Sequence, residues 1–148
     1  MPLRPDIVVT RPDSPEVLLV VEVKGDLADQ KTTEAALKSY MVHISCPVGM
    51  LVTRKRVRFY RNRYTDYAPQ TVEMTGECPT GELLGTLHRG AVTESDLERS
   101  VEQWLESLQA GGYSSWPSAV REAIESSVLP VVSGGVVRAG GPRWRRAG

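Results

Sequence analysis

Residues 4–25 read RPDIVVTRPDSPEVLLVVEVKG, a stretch typical of two strands joined by a turn. Its first part is rich in β-branched side chains, and PDSP at residues 12–15 favours a turn. The run VLLVVEV at residues 17–23 is apolar except at Glu22, as expected of a strand that is buried on both faces. We therefore predict a hairpin whose second strand lies inside a sheet.

Charged side chains close this second strand. Because side chains alternate along a strand, Glu22 and Lys24 share one face while Val23 points to the other. Burying such charges is costly unless each finds a partner, and Asp6 on the first strand is the natural candidate. A three-residue turn or a compensating bulge would place Asp6 directly opposite Glu22, whereas a two-residue turn would put the carboxylates on opposite faces. We expect the same-face register.

In that register the two carboxylates suit a hard divalent cation. Mg²⁺ takes one or two carboxylates together with waters and phosphate oxygens, and Mn²⁺ can substitute for it. We predict Asp6 and Glu22 as metal ligands, with the backbone carbonyl of Val23 as a third. Lys24 would position or deprotonate a water and balance phosphate charge, which makes Asp6, Glu22 and Lys24 the candidate catalytic residues for phosphodiester hydrolysis. The alternative is a structural charge cluster that keeps a sheet edge soluble.

The spacing of Pro5-Asp6 and Glu22-Val23-Lys24 resembles the motif of the PD-(D/E)XK nuclease superfamily. In its restriction-endonuclease-like fold a helix and another strand follow the motif strand; here an amphipathic segment at about 27–45 precedes the apolar run at 48–53. The resemblance covers roughly residues 3–63 and is strongest to the N-terminal nuclease modules of restriction enzymes. It implies an α/β fold with a mixed central sheet flanked by helices, followed in this chain by a C-terminal helical extension.

The helix after the motif contains two candidate accessory residues. The resemblance implies a polar role near the site for Tyr40, and the alternative, which we favour, is a packing role. Some relatives carry Gln four residues before this tyrosine, where the present chain has Ala36. Gln30 is a nearby substitute on the same predicted helix.

A basic strip follows the run at 48–53. A turn at Arg54-Lys55 leads into a predicted strand at 56–61, so that six basic residues fall within ten positions: Arg54, Lys55, Arg56, Arg58, Arg61 and Arg63. Interleaved aromatic residues and this charge predict contacts to the phosphates of DNA. The alternative is an edge strand that charge protects from aggregation.

The rest of the chain is predicted to support this nuclease core of residues 1–63. Residues 64–138 are expected to form a loop, two helices and a strand, and residues 139–148 a flexible basic tail. A capping box at Thr93 begins a helix that reaches about residue 110.

A second helix is predicted at 115–127, and the β-like run at 128–137 is predicted as a strand. The superfamily usually places a helix and a strand before the Pro-Asp strand, where this sequence has four residues. We therefore expect C-terminal elements, or a second protomer, to complete the sheet or its cover.

Composition limits the remaining possibilities. The chain has 148 residues with 18 Lys and Arg against 18 Asp and Glu, the first 63 residues being basic and residues 64–130 acidic. No apolar run is long enough for a membrane span and no signal peptide is recognisable, so we expect a cytoplasmic protein without a membrane partner. The two cysteines fit reduced thiols.

These observations lead to one principal hypothesis and two rivals. The principal hypothesis is a Mg²⁺-dependent endonuclease that hydrolyses DNA. The first rival is a catalytically inactive module of the same fold that binds DNA or a protein. The second is a subunit of a restriction or defence complex that is active only with its partners, or as a homodimer.

Overall fold

The computed structural model describes residues 5–25, 30–88, 93–111 and 116–139. The predicted basic tail beyond residue 139 lies outside these ranges. The strands are β1 (Ile7–Thr10), β2 (Val17–Val23), β3 (Val48–Val52), β4 (Arg56–Asn62), β5 (Val72–Pro79) and β6 (Val136–Ala139). The helices are α1 (Gln30–His43), α2 (Thr80–Leu84), α3 (Glu94–Gln109), α4 (Ser118–Ala123) and α5 (Leu129–Ser133), with 3₁₀ turns at Pro69–Thr71 and Gly85–His88 and a π turn at Ile124–Val128.

The fold is α/β with one mixed six-stranded sheet in the order β5-β4-β3-β2-β1-β6. Strands β2 and β3 are parallel, and the other neighbouring strands are antiparallel. A parallel pair needs a crossover, and α1 provides it between β2 and β3. The α/β class and the mixed sheet predicted from the sequence are confirmed. No described helix is long and apolar enough to cross a membrane.

The hairpin has the register that brings the two carboxylates together. Ile7 pairs with Val21, and just beyond this pair the side chain of Asp6 makes a hydrogen bond with that of Glu22. Near the turn the pairing shifts by one residue between Val9 and Thr10. The expected compensating bulge is therefore present, and it preserves the same-face arrangement beyond the turn.

Both faces of the sheet are covered. Alternate residues of β2 such as Val21 belong to a large core cluster under α2 to α5, whereas Val20 belongs to a smaller cluster under α1. Glu22 has the parity of Val20 and lies on the α1 face. The burial of β2 on both faces explains its nearly continuous apolar sequence.

Residues 64–92 carry little sequence signal, and the loop that the sequence predicts at 78–81 is wrong. Strand β5 reaches Pro79 and helix α2 follows it directly. The register of β5 shifts between Phe59 and Tyr60 of β4, so that Val72 is buried on the α1 face and Cys78 on the opposite face. After a bulge, the residues of a strand that faced one side of the sheet face the other. The alternation of apolar and polar residues along β5 is therefore interrupted, and this alternation is the sequence signal of a strand.

The predicted strand at 128–137 is also wrong in its bounds. Helical backbone continues through a π turn to Ser133, and the strand is only Val136–Ala139. Buried Val120, Ile124, Val128 and Val132 recur at intervals of four, a helical period that β-branched composition concealed. The short strand β6 pairs antiparallel with β1 and extends the sheet at that edge.

The turn into β6 requires a glycine at position 135. A Cβ built there would lie 2.5 Å from Val9 Cγ1 and 2.7 Å from the Val131 carbonyl oxygen. We expect Gly135→Ala to lower the free energy of unfolding by about 2–3 kcal/mol because the packed backbone must move. Denaturant unfolding measures this, with Gly134→Ala as the matched control since its Cβ would meet nothing closer than 4.0 Å. Equal effects of the two substitutions would contradict the close packing of Gly135 against Val9 and Val131.

Candidate active site

Asp6 is held in place by the backbone of β2. The Val23 N–H donates to Asp6 Oδ2 at 2.7 Å, and the Asp6 N–H donates to the Val21 carbonyl at 3.0 Å. A carboxylate that accepts a backbone N–H keeps a defined orientation, while its second oxygen stays available for other partners. The Pro-Asp residues thus fix one acid beside the end of β2.

Glu22 is a buried acid next to Asp6, with 3% of its surface exposed. Burial, followed by the hydrogen bond and the charge of Asp6, raises the pKa of Glu22 to about 9, and the charge of Glu94 adds to this. Lys24 acts in the opposite direction. Glu22 therefore holds a proton at neutral pH unless a cation takes its place.

Lys24 directly follows the last residue of strand β2, Val23. Its Nζ is 4.0 Å from Glu22 Oε1, and its side chain is partly exposed. Its N–H donates to the Val52 carbonyl at 2.9 Å, which fixes the backbone from which the ammonium extends. The three candidate catalytic residues Asp6, Glu22 and Lys24 are thus close together.

The Val23 carbonyl points toward β1. The N–H and C=O of one strand residue face the same neighbour, and the Val23 N–H reaches Asp6. The ladder between β1 and β2 ends at the pair Ile7–Val21, and Pro5 has no N–H with which to continue it. The Val23 carbonyl therefore lies beyond the regular ladder, close to Asp6 and Glu22.

Glu94 is a third acid that the sequence reading assigned only to a structural helix. It is the first residue of α3, and its Oε1 accepts the Gly25 N–H at 2.8 Å. The capping box at Thr93 and Asp96, predicted from the sequence, sets the start of this helix. An acid in a first helical turn is a common signal, and nothing in the sequence indicates that α3 begins beside β2.

The basic strip is divided between two places. Lys55, Arg56 and Arg58 line a cleft of about 370 Å³ next to Gly25, and the Arg54 guanidinium also approaches Gly25. Arg61 and Arg63 line a separate cleft of about 190 Å³ with Glu73 and Glu122. The six residues thus do not form one continuous surface, because β4 runs away from the site.

Arg58 belongs to a network of charges and hydrogen bonds on the α1 face. Its Nε donates to Glu77 at 2.5 Å and its Nη1 to Glu34 at 3.2 Å, while the Tyr60 hydroxyl donates to the same Glu34 carboxylate. The side-chain oxygen of Gln30 also faces this guanidinium. Arg58 is consequently fixed in position and already neutralised by acids.

Tyr40 packs instead of joining the acids. It lies on α1 against the smaller core cluster and lines a groove with Pro5, Val8 and Thr10. Burial raises the pKa of Tyr40, as does the nearby Cys46. These contacts of Tyr40 are those expected of a packing residue.

One transverse row of side chains connects these features. Glu22 pairs with Leu51, Leu51 with Arg58, and Arg58 with Glu77, while Asp6 lies on the other side of Glu22. Adjacent strands are about 4.8 Å apart, so Arg58 is roughly 10 Å from Glu22 along the sheet, with Asp6 one strand further away. The row places a pair of carboxylates beside a basic cleft.

The described residues contain no group of three or more His, Cys, Asp or Glu side chains arranged to hold a metal ion. The predicted ligand set, two carboxylates and a carbonyl, is smaller than such a group. Comparisons with protein-family models, curated proteins and solved structures give no match to this chain.

Proposed function

We propose that this chain is a divalent-metal-dependent nuclease of the PD-(D/E)XK type that hydrolyses phosphodiester bonds in DNA. The observation that carries the proposal is the contact between Asp6 and Glu22 at the end of a buried strand. A buried acid in contact with a second acid destabilises the fold, and Lys24 offsets only part of that cost. Two acids in contact at the end of a buried strand are expected where a protein binds a cation.

The donor set fits Mg²⁺ or Mn²⁺. Asp6, Glu22 and the Val23 carbonyl are hard oxygen donors, and two carboxylates match the number that Mg²⁺ commonly takes from a protein. A bound ion would neutralise the carboxylates and polarise a phosphate oxygen or a water. The fit is supported by geometry: Glu22 is buried in contact with Asp6, whose carboxylate is oriented by the Val23 N–H, and a cation would replace the proton that burial retains on Glu22.

The chain's own groups supply the remaining functions. The Lys24 ammonium, partly exposed beside Glu22, can hold a water and stabilise charge that develops on a phosphate. Lys55 and Arg56 border the neighbouring cleft and can bind phosphates of the same DNA strand. Asp6, fixed by the Val23 N–H, keeps the donor geometry constant during the reaction.

Calorimetric titration of Mg²⁺ and Mn²⁺ into the protein, with a short DNA present, tests the proposal directly. We expect binding to the wild type and its loss in both Asp6→Asn and Glu22→Gln, together with metal-dependent cleavage of the DNA by the wild type. If the wild type binds neither ion, the acids are a structural cluster and the proposal fails.

An inactive binding module is the second candidate. It is favoured by the absence of a third metal-ligating side chain among the described residues and by the neutralisation of Arg58. This candidate predicts DNA or protein binding that does not respond to metal. A subunit that requires partners would bind the ion but cut only after they are added.

Glu94 gives a further prediction about the metal site. We expect Glu94→Gln to weaken Mg²⁺ binding about five- to tenfold, because it removes a negative charge near Glu22 while an amide oxygen still accepts the Gly25 N–H. Calorimetry measures the affinity, and Glu106→Gln on the exposed surface of the same helix is the control. Unchanged affinity in Glu94→Gln would restrict Glu94 to anchoring the loop.

A further inference from the structure

We infer that the cleft beside the acids holds one unpaired nucleotide of the DNA strand, so that the preferred substrate is single-stranded or frayed DNA. The inference rests on the proposed function, since it concerns the strand that the acids would cut. The cleft has a volume of about 370 Å³, and its lining includes Gly25, Gln30, Leu51, Lys55, Arg56 and Arg58.

The position of the cleft suits a nucleotide next to the cleaved bond. Leu51 forms part of the floor of the cleft, and it is the residue of β3 that pairs with Glu22 of β2. Neighbouring strands are about 4.8 Å apart, so a strand with its phosphate at the acids has its next nucleotide over this floor. The cleft and the acids lie on the α1 face of the sheet.

The size of the cleft restricts what can enter. Pockets for small ligands run from about 300 to 1,000 Å³, and a volume of 370 Å³ falls at the lower end of this range. Such a space accommodates one nucleotide but not a stacked base pair. A base in a duplex would have to leave its helix to enter, which costs least where it is already unpaired.

The chemistry of the lining suits a base. The Arg58 N–H groups are engaged by Glu34, Glu77 and the Gln30 oxygen, so the flat face of the guanidinium is what Arg58 can still offer to a ligand. Guanidinium planes stack on unpaired bases. Glu77 and Gln30 line the same cleft, and their side chains can hydrogen-bond a base edge.

The rim suits the phosphate of the same nucleotide. Lys55 is exposed and has no ion pair among the described residues. Arg56 Nη1 makes a long ion pair of 4.0 Å with Glu77 Oε1, and more than half of the Arg56 side chain is exposed. Two accessible cations at the mouth of a nucleotide-sized cleft complement the backbone of a single strand.

Fluorescence anisotropy tests the inference, using a labelled single strand and the same strand annealed to its complement, without metal so that nothing is cut. We expect the single strand to bind the wild type about tenfold more tightly than the duplex. Gln30→Trp, which fills the cleft from an exposed helix position, and Lys55→Glu should each weaken single-strand binding about tenfold.

Two matched variants serve as controls. Ser39→Trp adds the same ring to an exposed position of α1, and Lys31→Glu makes the same charge change at an exposed lysine that does not line the cleft. Both should bind the single strand within about twofold of wild type. Equal affinity for single strand and duplex, or equal losses in variants and controls, would overturn the inference.

Cleavage in Mg²⁺ separates this inference from the proposed function. If the wild type cuts duplex and single strand at equal rates, the unpaired-nucleotide inference fails and the nuclease stands. If nothing is cut and neither Mg²⁺ nor Mn²⁺ binds, but DNA binding follows the expected pattern, the nuclease fails and the cleft stands as the nucleotide site of a binding module.

Discussion

Glu22→Gln and Asp6→Asn are each expected to lower Mg²⁺-dependent DNA cleavage by at least about a thousandfold. Each replaces a charged oxygen donor with a neutral one of similar shape. In Asp6→Asn the Val23 N–H can still donate to the oxygen of the new side-chain amide, so the hairpin should remain intact. Single-turnover cleavage with circular dichroism as a check on the fold measures the effect.

Lys24→Ala should also reduce cleavage but leave metal binding measurable, because the lysine is not a metal ligand. Glu73→Gln is the control, since Glu73 is an exposed acid of β5 that pairs with Arg63 away from the site. Full activity in the Asp6, Glu22 and Lys24 variants would remove these residues from any catalytic role and leave the structural cluster as the explanation.

The hairpin that forms the site could be predicted because local rules determine it. The two carboxylates fall on one face once the register is known, and only an odd turn or a bulge satisfies the burial of Glu22 together with its pairing to Asp6. The crossover helix and β3 follow from apolar periodicity. These signals lie within a few residues of each other in sequence.

The parts that could not be predicted depend on distant contacts. Whether Glu94 reaches Gly25 is decided by the packing of α3 on the sheet, across 69 positions of sequence. The face exchange in β5 is visible only when β4 supplies the register. The pairing of Arg58 with Glu34 and Glu77 likewise converts a residue read as a phosphate contact into a fixed part of a network.

Glu22→Gln is expected to make the metal-free protein more stable than wild type at alkaline pH, by about 2–4 kcal/mol. The pKa of Glu22 is raised from 4.5 to about 9 in the fold. Between these values the folded state holds a proton that the unfolded state has released, so wild-type stability falls as pH rises through this window. The contribution is fully present below pH 4.5 and lost above about pH 9.

Denaturant unfolding of both proteins across this pH window, in a chelator, measures the difference. The gap between Glu22→Gln and wild type should widen with pH, and Mg²⁺ should narrow it by stabilising only the wild type. A gap independent of pH would contradict the raised pKa of Glu22. A substitution that stabilises the fold while it abolishes cleavage is hard to reconcile with a purely structural cluster, because a cluster kept for stability should lose stability when its buried acid is replaced.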